Sequence, residues 1–140
     1  MDITAETNTL TAGEFIDLFR SVSWSAPCEE QAAAALQNSL AVFTLRIGGK
    51  AAAMARIIGD GAMTFFIKDV IVSPEFQGKG LGRQLMAAVE DYITRQLAPG
   101  WTAWAELMSA AGKEGFYRKC GFTDRSGGVL GAGMMKKIRR

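Results

Sequence analysis

The spacing of hydrophobic and polar positions changes several times along the chain, and each change predicts a different element. Thr11 and Glu14 have the spacing of a capping box, and the apolar residues after them recur at helical intervals, which predicts a first helix over about 11–21. Pro27 and the acidic residues after it are typical of a first helical turn. They predict a second helix that ends near Asn38.

From Ala41 the pattern becomes that of strands. The apolar runs AVFTLRI, AAAMARII and MTFFIKDVIV are separated by the short turns GGK and GDG, which predicts an antiparallel meander. The segment LGRQLMAAVEDYITRQ then has one apolar face and predicts a long helix, which Pro99 and Gly100 end.

The last third of the chain is predicted to contain three short elements. The segment WTAWAELMSA is typical of a strand, KEGFYRKCGF of a short helix ending at Gly121, and the glycine-rich segment GGVLGAGMMKKI of a final strand. Together the elements predict one domain over residues 1–140. Its expected class is α/β (α+β), with a mixed, mostly antiparallel sheet flanked by helices.

Composition narrows the range of functions. The chain has 140 residues, of which 49% are hydrophobic, and a net charge of +2, which is too small to suggest nucleic acid as a main partner. It contains no histidine, which excludes Ser-His and Cys-His catalysis and the commonest metal ligand. We expect no metal site, and we expect Cys28 and Cys120 to be reduced thiols.

The expected location is the cytoplasm. The first ten residues lack the basic and apolar regions of a signal peptide, and no run of about 18 apolar residues occurs. We therefore expect a protein that is neither secreted by such a signal nor embedded in a membrane.

The stretch SPEFQGKGLGRQL places glycines at alternate positions, 78, 80 and 82, between a strand and a helix. Such a junction often closes backbone N–H groups around a phosphate. A Walker A loop is excluded because no Lys-Ser or Lys-Thr pair follows a glycine, and the spacing GxGxG does not match the dinucleotide fingerprint GxGxxG.

A family resemblance accounts for the loop better. DVIVSPEFQGKGLGRQLM resembles the acetyl-CoA signature (Q/R)xxGxG/A of the GNAT-type N-acetyltransferases, with Gln77, Gly80 and Gly82 at the defining positions. FYRKCGF resembles the second signature of that family, and the order of elements is similar over nearly the whole chain. The resemblance implies a GNAT-like fold and acetyl-CoA as cosubstrate.

The resemblance also implies where acetyl-CoA binds. The pyrophosphate is expected on the N–H groups of residues 78–83, where a Cβ would hold the backbone away from the phosphate oxygens, and the pantetheine arm is expected along the preceding strand. The implied residues are Val70, Ile71, Val72, Gln77, Gly78, Lys79, Gly80, Leu81, Gly82 and Arg83.

Acetyl transfer to an amine needs a proton donor for the leaving thiolate and a proton acceptor for the amine. The resemblance implies Tyr117 as the general acid. Asp69 and Glu106 are the candidate bases, and Asp69 is favoured because it directly precedes the pantetheine-binding segment in an otherwise apolar run. A structural ion pair is an alternative for either, and Asp60 is more typical of a turn former. The chain departs from many relatives in having Ala110 and Ala111 where those relatives have a cofactor-contacting Asn.

The acceptor is expected to be a small primary amine. Trp24, in the loop between the first two helices, is a candidate for stacking on it, or else a residue of the core. The chain is similar to small bacterial members related to plant and cyanobacterial serotonin N-acetyltransferases, which favours an arylalkylamine. The alternatives are a protein or peptide N-acetyltransferase and a non-catalytic acyl-CoA-binding module, and the apolar C-terminal segment suggests a homodimer.

Overall fold

The fold is given by a computed structural model, which describes residues 1–137 and 139. The chain forms two compact units, Met1–Leu107 and Met108–Arg140.

The first unit is built on a five-stranded sheet. Its strands are β1 Ile3–Thr7, β2 Ala41–Ile47, β3 Lys50–Gly59, β4 Thr64–Val72 and β5 Trp104–Leu107, in the spatial order β1-β2-β3-β4-β5. The pairs from β1 to β4 are antiparallel, and β5 is parallel to β4. The mixed, mostly antiparallel sheet and the central meander are therefore confirmed.

Three helices of this unit flank the sheet: α1 Ala12–Ser21, α2 Glu29–Gln37 and α3 Leu81–Gln96. Val42 packs in the core with α1 and α2, whereas the next residue, Phe43, contacts the ring of Tyr92 in α3. Since neighbouring residues of a strand point to opposite faces, α1 and α2 cover one face and α3 covers the other.

The predicted helices form with nearly the predicted bounds. Thr11 and Glu14 make both hydrogen bonds of the predicted capping box. The predicted apolar face of α3, Leu81, Leu85, Val89 and Ile93, is buried. Within the described part of the chain, no helix is long and apolar enough to cross a membrane.

Strand β1 was not predicted. It adds to the edge of the sheet with Ile3 opposite Ile47 and Thr7 opposite Phe43, but all five of its side chains are exposed or half-buried. A strand with so little buried surface lacks the strong hydrophobic alternation by which strands are recognised. The predicted strand within 101–110 is also shorter than expected, since only Trp104–Leu107 pair.

Among its described residues, the second unit contains one helix, α4 Glu114–Lys119, followed by Gly121 with φ +93°, as predicted. The predicted final strand is wrong for the described residues 127–137, where the backbone forms only an isolated bridge between Gly127 and Leu130. Four glycines in this segment give it few side chains to pack and a large entropy to lose on ordering. The last residue of that prediction, Ile138, lies outside the described residues.

Candidate functional site

The glycine loop is tied back to the strand that precedes it. After Val72 the backbone N–H of Ser73 donates to the Ala52 carbonyl oxygen at 2.8 Å, and a 3₁₀ turn, Pro74–Phe76, follows. The Gln77 side-chain amide then donates to the carbonyl oxygen of Val72 at 2.9 Å. Gln77 therefore fixes the loop against the end of β4, a contact that the sequence motif alone does not reveal.

The first two glycines of the motif have left-handed backbone conformations. Gly78 has φ +76° and Gly80 has φ +84°, values that side-chain-bearing residues rarely adopt. A Cβ on either would meet nothing within 4 Å, so the space beside the loop is open. Gly82 lies in the first turn of α3.

The N-terminus of α3 carries no capping group from the described protein. Its N-cap is Gly80, no side chain among the described residues bonds there, and the first turn holds no acidic residue. Helix α1, by contrast, is capped by Thr11 and Glu14. The first N–H groups of a helix and its positive dipole end attract anions, and Arg83 adds charge in the first turn. Lys79 adds a second cation and holds its Nζ 5.6 Å from the centre of the Phe76 ring.

Strand β4 offers an open backbone edge just before this loop. Strand β5 pairs only with residues 64–67 of β4. Further along, Ile71 and Val72 pair with Met54 and Ala53 of β3 on one side, and no described strand pairs with Val70–Val72 on the other. The side chains of this segment are buried or half-buried.

These features fit a ligand with a phosphate group and an amide-bearing chain. The phosphate would meet the helix N-terminus and the left-handed glycine turn. The chain would pair with the open edge of β4 as an added strand does. The two parts follow each other directly in the sequence and belong to one unit.

The three carboxylates considered as bases have different surroundings. Asp69 accepts a hydrogen bond from Arg56 Nε at 2.9 Å, and its side chain is only 10% exposed. Asp60 accepts from the backbone N–H groups of residues 62, 63 and 64 and organises the β3–β4 turn, as its position predicted; these bonds lower the pKa of its carboxyl. Glu106 is exposed on β5.

The sheet register collects polar and aromatic groups on one face. Glu106 lies opposite Phe66, and Lys68 lies opposite Arg56. The Lys68 ammonium is 6.0 Å from the centre of the Phe66 ring. Because Arg56 is two residues from Met54, which packs under α1 and α2, these side chains share the α1–α2 face of the sheet. Sequence reasoning missed Arg56, Phe66 and Lys68, although the alternation in TFFIK is a signal for two of them.

Trp24 lies in the α1–α2 loop and is 39% exposed. Its ring makes an edge contact with Phe19 at 5.7 Å between centroids. Part of the indole thus packs on α1 while part remains accessible, so both interpretations of this residue stay open.

Tyr117 belongs to the second unit, in α4. Its ring packs edge-on against Phe116 at 5.0 Å and Phe122 at 6.1 Å between centroids. Burial raises the pKa of the Tyr117 phenol, and the charge of the neighbouring Cys120 thiolate raises it further. Both effects favour the neutral phenol, so Tyr117 holds its proton at neutral pH.

Comparison with known proteins identifies the family of the chain. Residues 38–124 match the family described as acetyltransferase (GNAT) domain, a match that includes residues of both units. A protein from methicillin-resistant Staphylococcus aureus, described as a probable acetyltransferase of unknown function, has a similar structure with a TM-score of 0.84. It is 26% identical, and the similarity covers 98% of this chain and 100% of that one.

Two curated relatives are similar in sequence. An uncharacterised N-acetyltransferase, ycf52-like, of Prochlorococcus marinus is 31% identical over 127 residues, or 85% of this chain. Serotonin N-acetyltransferase 2, chloroplastic, of Oryza sativa is 32% identical over 117 residues, or 81% of this chain. The chain spans less than two thirds of these relatives, 66% of the first and 56% of the second.

Proposed function

Because the chain belongs to the GNAT family of acetyltransferases, we propose that it transfers an acetyl group from acetyl-CoA to a primary amine, and that this amine is a small arylalkylamine. One observation carries the proposal. The uncapped N-terminus of α3, with its left-handed glycine turn, directly follows the open edge of β4.

Different residues of this segment bind different parts of acetyl-CoA. The N–H groups of residues 78–83 take the pyrophosphate, with Lys79 and Arg83 adding positive charge. The backbone of Val70–Val72 takes the pantetheine arm. Gln77 keeps the two parts in register through its bond to Val72. Acetyl-CoA supplies the acyl group as an activated thioester.

Both proton transfers are assigned to side chains other than histidine. Tyr117 Oη donates to the leaving sulfur, a role supported by the motif FYRKCGF and by the raised pKa that keeps the phenol protonated. Glu106 is the favoured proton acceptor for the amine, because it is exposed on the face that holds Phe66, whereas the Asp69 carboxylate is engaged by Arg56. Asp69 remains the second candidate for this role.

The acceptor is assigned to the α1–α2 face of the sheet. Phe66 lies on this face, Trp24 lies in the loop between α1 and α2, and together they are the proposed aromatic surface; the exposed Glu106 provides negative charge for a cationic amine. The name of the rice relative, a serotonin N-acetyltransferase, supports an aromatic amine. A protein N-terminus or lysine is the alternative acceptor.

The test is release of the coenzyme A thiol from acetyl-CoA in the presence of arylalkylamines, polyamines, amino acids and short peptides. We expect arylalkylamines to give the highest kcat/KM, and Tyr117→Phe to lower kcat by about 100-fold, as loss of a general acid does. Tyr92→Phe is the matched control, since Tyr92 is the other tyrosine of the chain and its hydroxyl donates to the Leu40 carbonyl oxygen.

Other results would redirect the proposal. Preference for peptides would replace the small amine by a protein acceptor. Tight binding of acetyl-CoA with no release for any amine would favour a non-catalytic acyl-CoA-binding module. Equal activity of Glu106→Gln and wild type would remove Glu106 as the base and return that role to Asp69 or to solvent.

We also propose a homodimer and a cytoplasmic location. The support for a dimer is the set of exposed apolar side chains in the C-terminal segment, Val129, Leu130, Met134 and Met135. Light scattering of the full chain, with Val129→Asp/Met134→Asp as the variant, measures the mass directly. The rice relative is named as chloroplastic, so location is tested by fractionation of the source cells.

A further inference from the structure

Strand β4 contains one more residue than its antiparallel partner β3 in the segment just beyond the residues that pair with β5. Lys68 lies opposite Arg56, but Ile71 lies opposite Met54, so two residues of β4 face the single residue Ala55. This is a β-bulge, and it coincides with Asp69, whose φ is +55°. Asp69 is one of three described non-glycine residues with positive φ, and the other two, Asn8 and Ser23, lie outside the strands.

The bulge decides which face of the sheet the rest of β4 presents. Ile67 and Ile71 are four residues apart and would share a face in a regular strand. Ile67 lies opposite Ile57 and Ile71 opposite Met54, and these two partners are three residues apart on β3 and so point to opposite faces. The extra residue therefore lets Ile71 join the core under α1 and α2 while Ile67 is buried on the α3 side.

The arginine at position 56 on the neighbouring strand bonds to the bulged residue. Arg56 Nε donates to Asp69 Oδ2 at 2.9 Å, and Arg56 Nη1 donates to Ser39 Oγ at 3.3 Å. The side chains of Arg56 and Asp69 are 13% and 10% exposed, so the pair is shielded from water. A left-handed conformation is unfavourable for a residue with a Cβ and persists only where its surroundings enforce it.

We propose that Arg56 is a positioning residue: by clamping Asp69 in its left-handed conformation it sets the bulge, and thereby the direction of the open backbone edge at Val70–Val72. That this edge takes the pantetheine arm rests on the proposed function. Arg56 itself need not touch the ligand. The carboxylate of Asp69 then serves the backbone of β4, which is why Glu106 is the better base.

The test removes the Arg56–Asp69 ion pair, first with Asp69 retained and then with a glycine at position 69. Arg56→Gln removes the ion pair but leaves Asp69 in an unfavourable conformation. Arg56→Gln/Asp69→Gly removes the pair and places at position 69 the residue that adopts positive φ freely. The matched control is Arg46→Gln, because Arg46 is also a half-buried arginine paired with carboxylates, Glu6 and Glu14, but lies on β2.

Two readouts are measured on each full-length variant: the Kd of coenzyme A by calorimetry, and amide hydrogen exchange of residues 68–72. We expect Arg56→Gln to weaken binding by about 10-fold and to speed exchange in this segment. The double variant is expected to recover both to within about 3-fold of wild type. Arg46→Gln is expected to lower stability without changing the Kd.

The inference is overturned if Arg56→Gln binds coenzyme A like wild type, or if the double variant is as impaired as the single one. Should Arg56→Gln fail to fold, the double variant decides alone: near wild-type affinity supports the inference and loss of folding overturns it. Absence of coenzyme A binding by wild type would instead overturn the proposed function. Amide hydrogen exchange of residues 68–72 would still test the role of Arg56 in that case. Protection restored in the double variant supports this role, and protection that is not restored overturns it.

Discussion

At the scale of single residues, Gly59 and Gly80 are both required to be glycine, but for different physical reasons. Gly59 ends β3 with φ +149°, and a Cβ there would lie 2.0 Å from the Thr64 carbonyl oxygen. Gly80 also has positive φ, +84°, but a Cβ on it would meet nothing within 4 Å. Close approach of backbone requires glycine at the first position, and backbone conformation alone requires it at the second.

We therefore expect Gly59→Ala to be severely destabilising, by about 3 kcal/mol or more, because the clash is with backbone that cannot move aside cheaply. The measurement is urea unfolding. Gly13→Ala is the control, since Gly13 lies in the first turn of α1 and a Cβ there would come no nearer than 4.0 Å to atoms outside the helix backbone; alanine there is expected to stabilise by about 0.5–1 kcal/mol. Equal urea midpoints for wild type and Gly59→Ala would contradict the close approach of the Thr64 carbonyl oxygen to position 59.

A second residue-scale prediction separates conformation from ligand binding. Gly80 and Gly100 have the same φ, +84°, and the same open surroundings, one before α3 and the other after it. Alanine at either position is expected to cost about 1 kcal/mol of stability. Only Gly80→Ala is expected to weaken coenzyme A binding, by about 10-fold or more, in calorimetric titrations. Equal loss of coenzyme A affinity in both variants would mean that the loop binds no phosphate.

At the scale of elements, helix α1 is joined to the sheet by one charged cluster. Arg46 of β2 donates to Glu6 of β1 and to Glu14 of α1, and Glu14 also closes the capping box with Thr11. The hydrogen bond from Arg46 is the largest cause of the lowered pKa of Glu14, about 2. The carboxylate therefore favours the folded state wherever it is ionised.

The pH dependence of stability tests this cluster. The folded pKa of Glu14 lies below its ordinary value of 4.5, so its contribution is present above pH 4.5 and is lost as pH falls towards 2. We expect Glu14→Gln to lower the free energy of unfolding by about 1–2 kcal/mol at pH 7 and by almost nothing near pH 2.

Urea titrations of both proteins across that range measure the difference. Asp17→Asn, an exposed change on the same helix, is the control and is expected to shift stability by less than about 0.5 kcal/mol at either pH. A Glu14→Gln deficit that is the same at pH 2 and pH 7 would contradict the assignment.

Elements with strong periodicity were predictable from the sequence. The face of α3 repeats at Leu81, Leu85 and Val89, and the meander is punctuated by glycine turns, so local signals and tertiary packing agree there. Strand β1 was missed because it buries little surface, and the glycine-rich C-terminal segment had strand-like apolar residues without a partner in the described fold.

The candidate site was predictable where its signal is local. The glycine motif and Asp60 depend on neighbours within a few residues, and the predicted loop and turn both form. The bulge at Asp69 depends on Arg56, thirteen positions away on another strand, and on Ser39 beyond it. A strand pattern such as FFIKDVIV does not reveal a register shift, because the shift is set by the pairing of β3 with β4.

At the scale of the whole molecule, the proposed acetyl transfer depends on three features: the glycine turn before α3, the unpaired edge of β4 and the protonated phenol of Tyr117. The turn and the edge belong to the first unit, and Tyr117 belongs to the second. The family match includes residues of both units, which supports assigning them to one enzyme. The central claim is that this chain moves an acetyl group from acetyl-CoA to an amine.

The most direct test of that claim is detection of the product. The full chain is incubated with acetyl-CoA carrying an isotopically labelled acetyl group and with an arylalkylamine, and the amine is analysed by mass spectrometry. We expect labelled N-acetyl amine in an amount equal to the coenzyme A released, with both strongly reduced in Tyr117→Phe. Binding of acetyl-CoA without labelled product from any amine or peptide would contradict it.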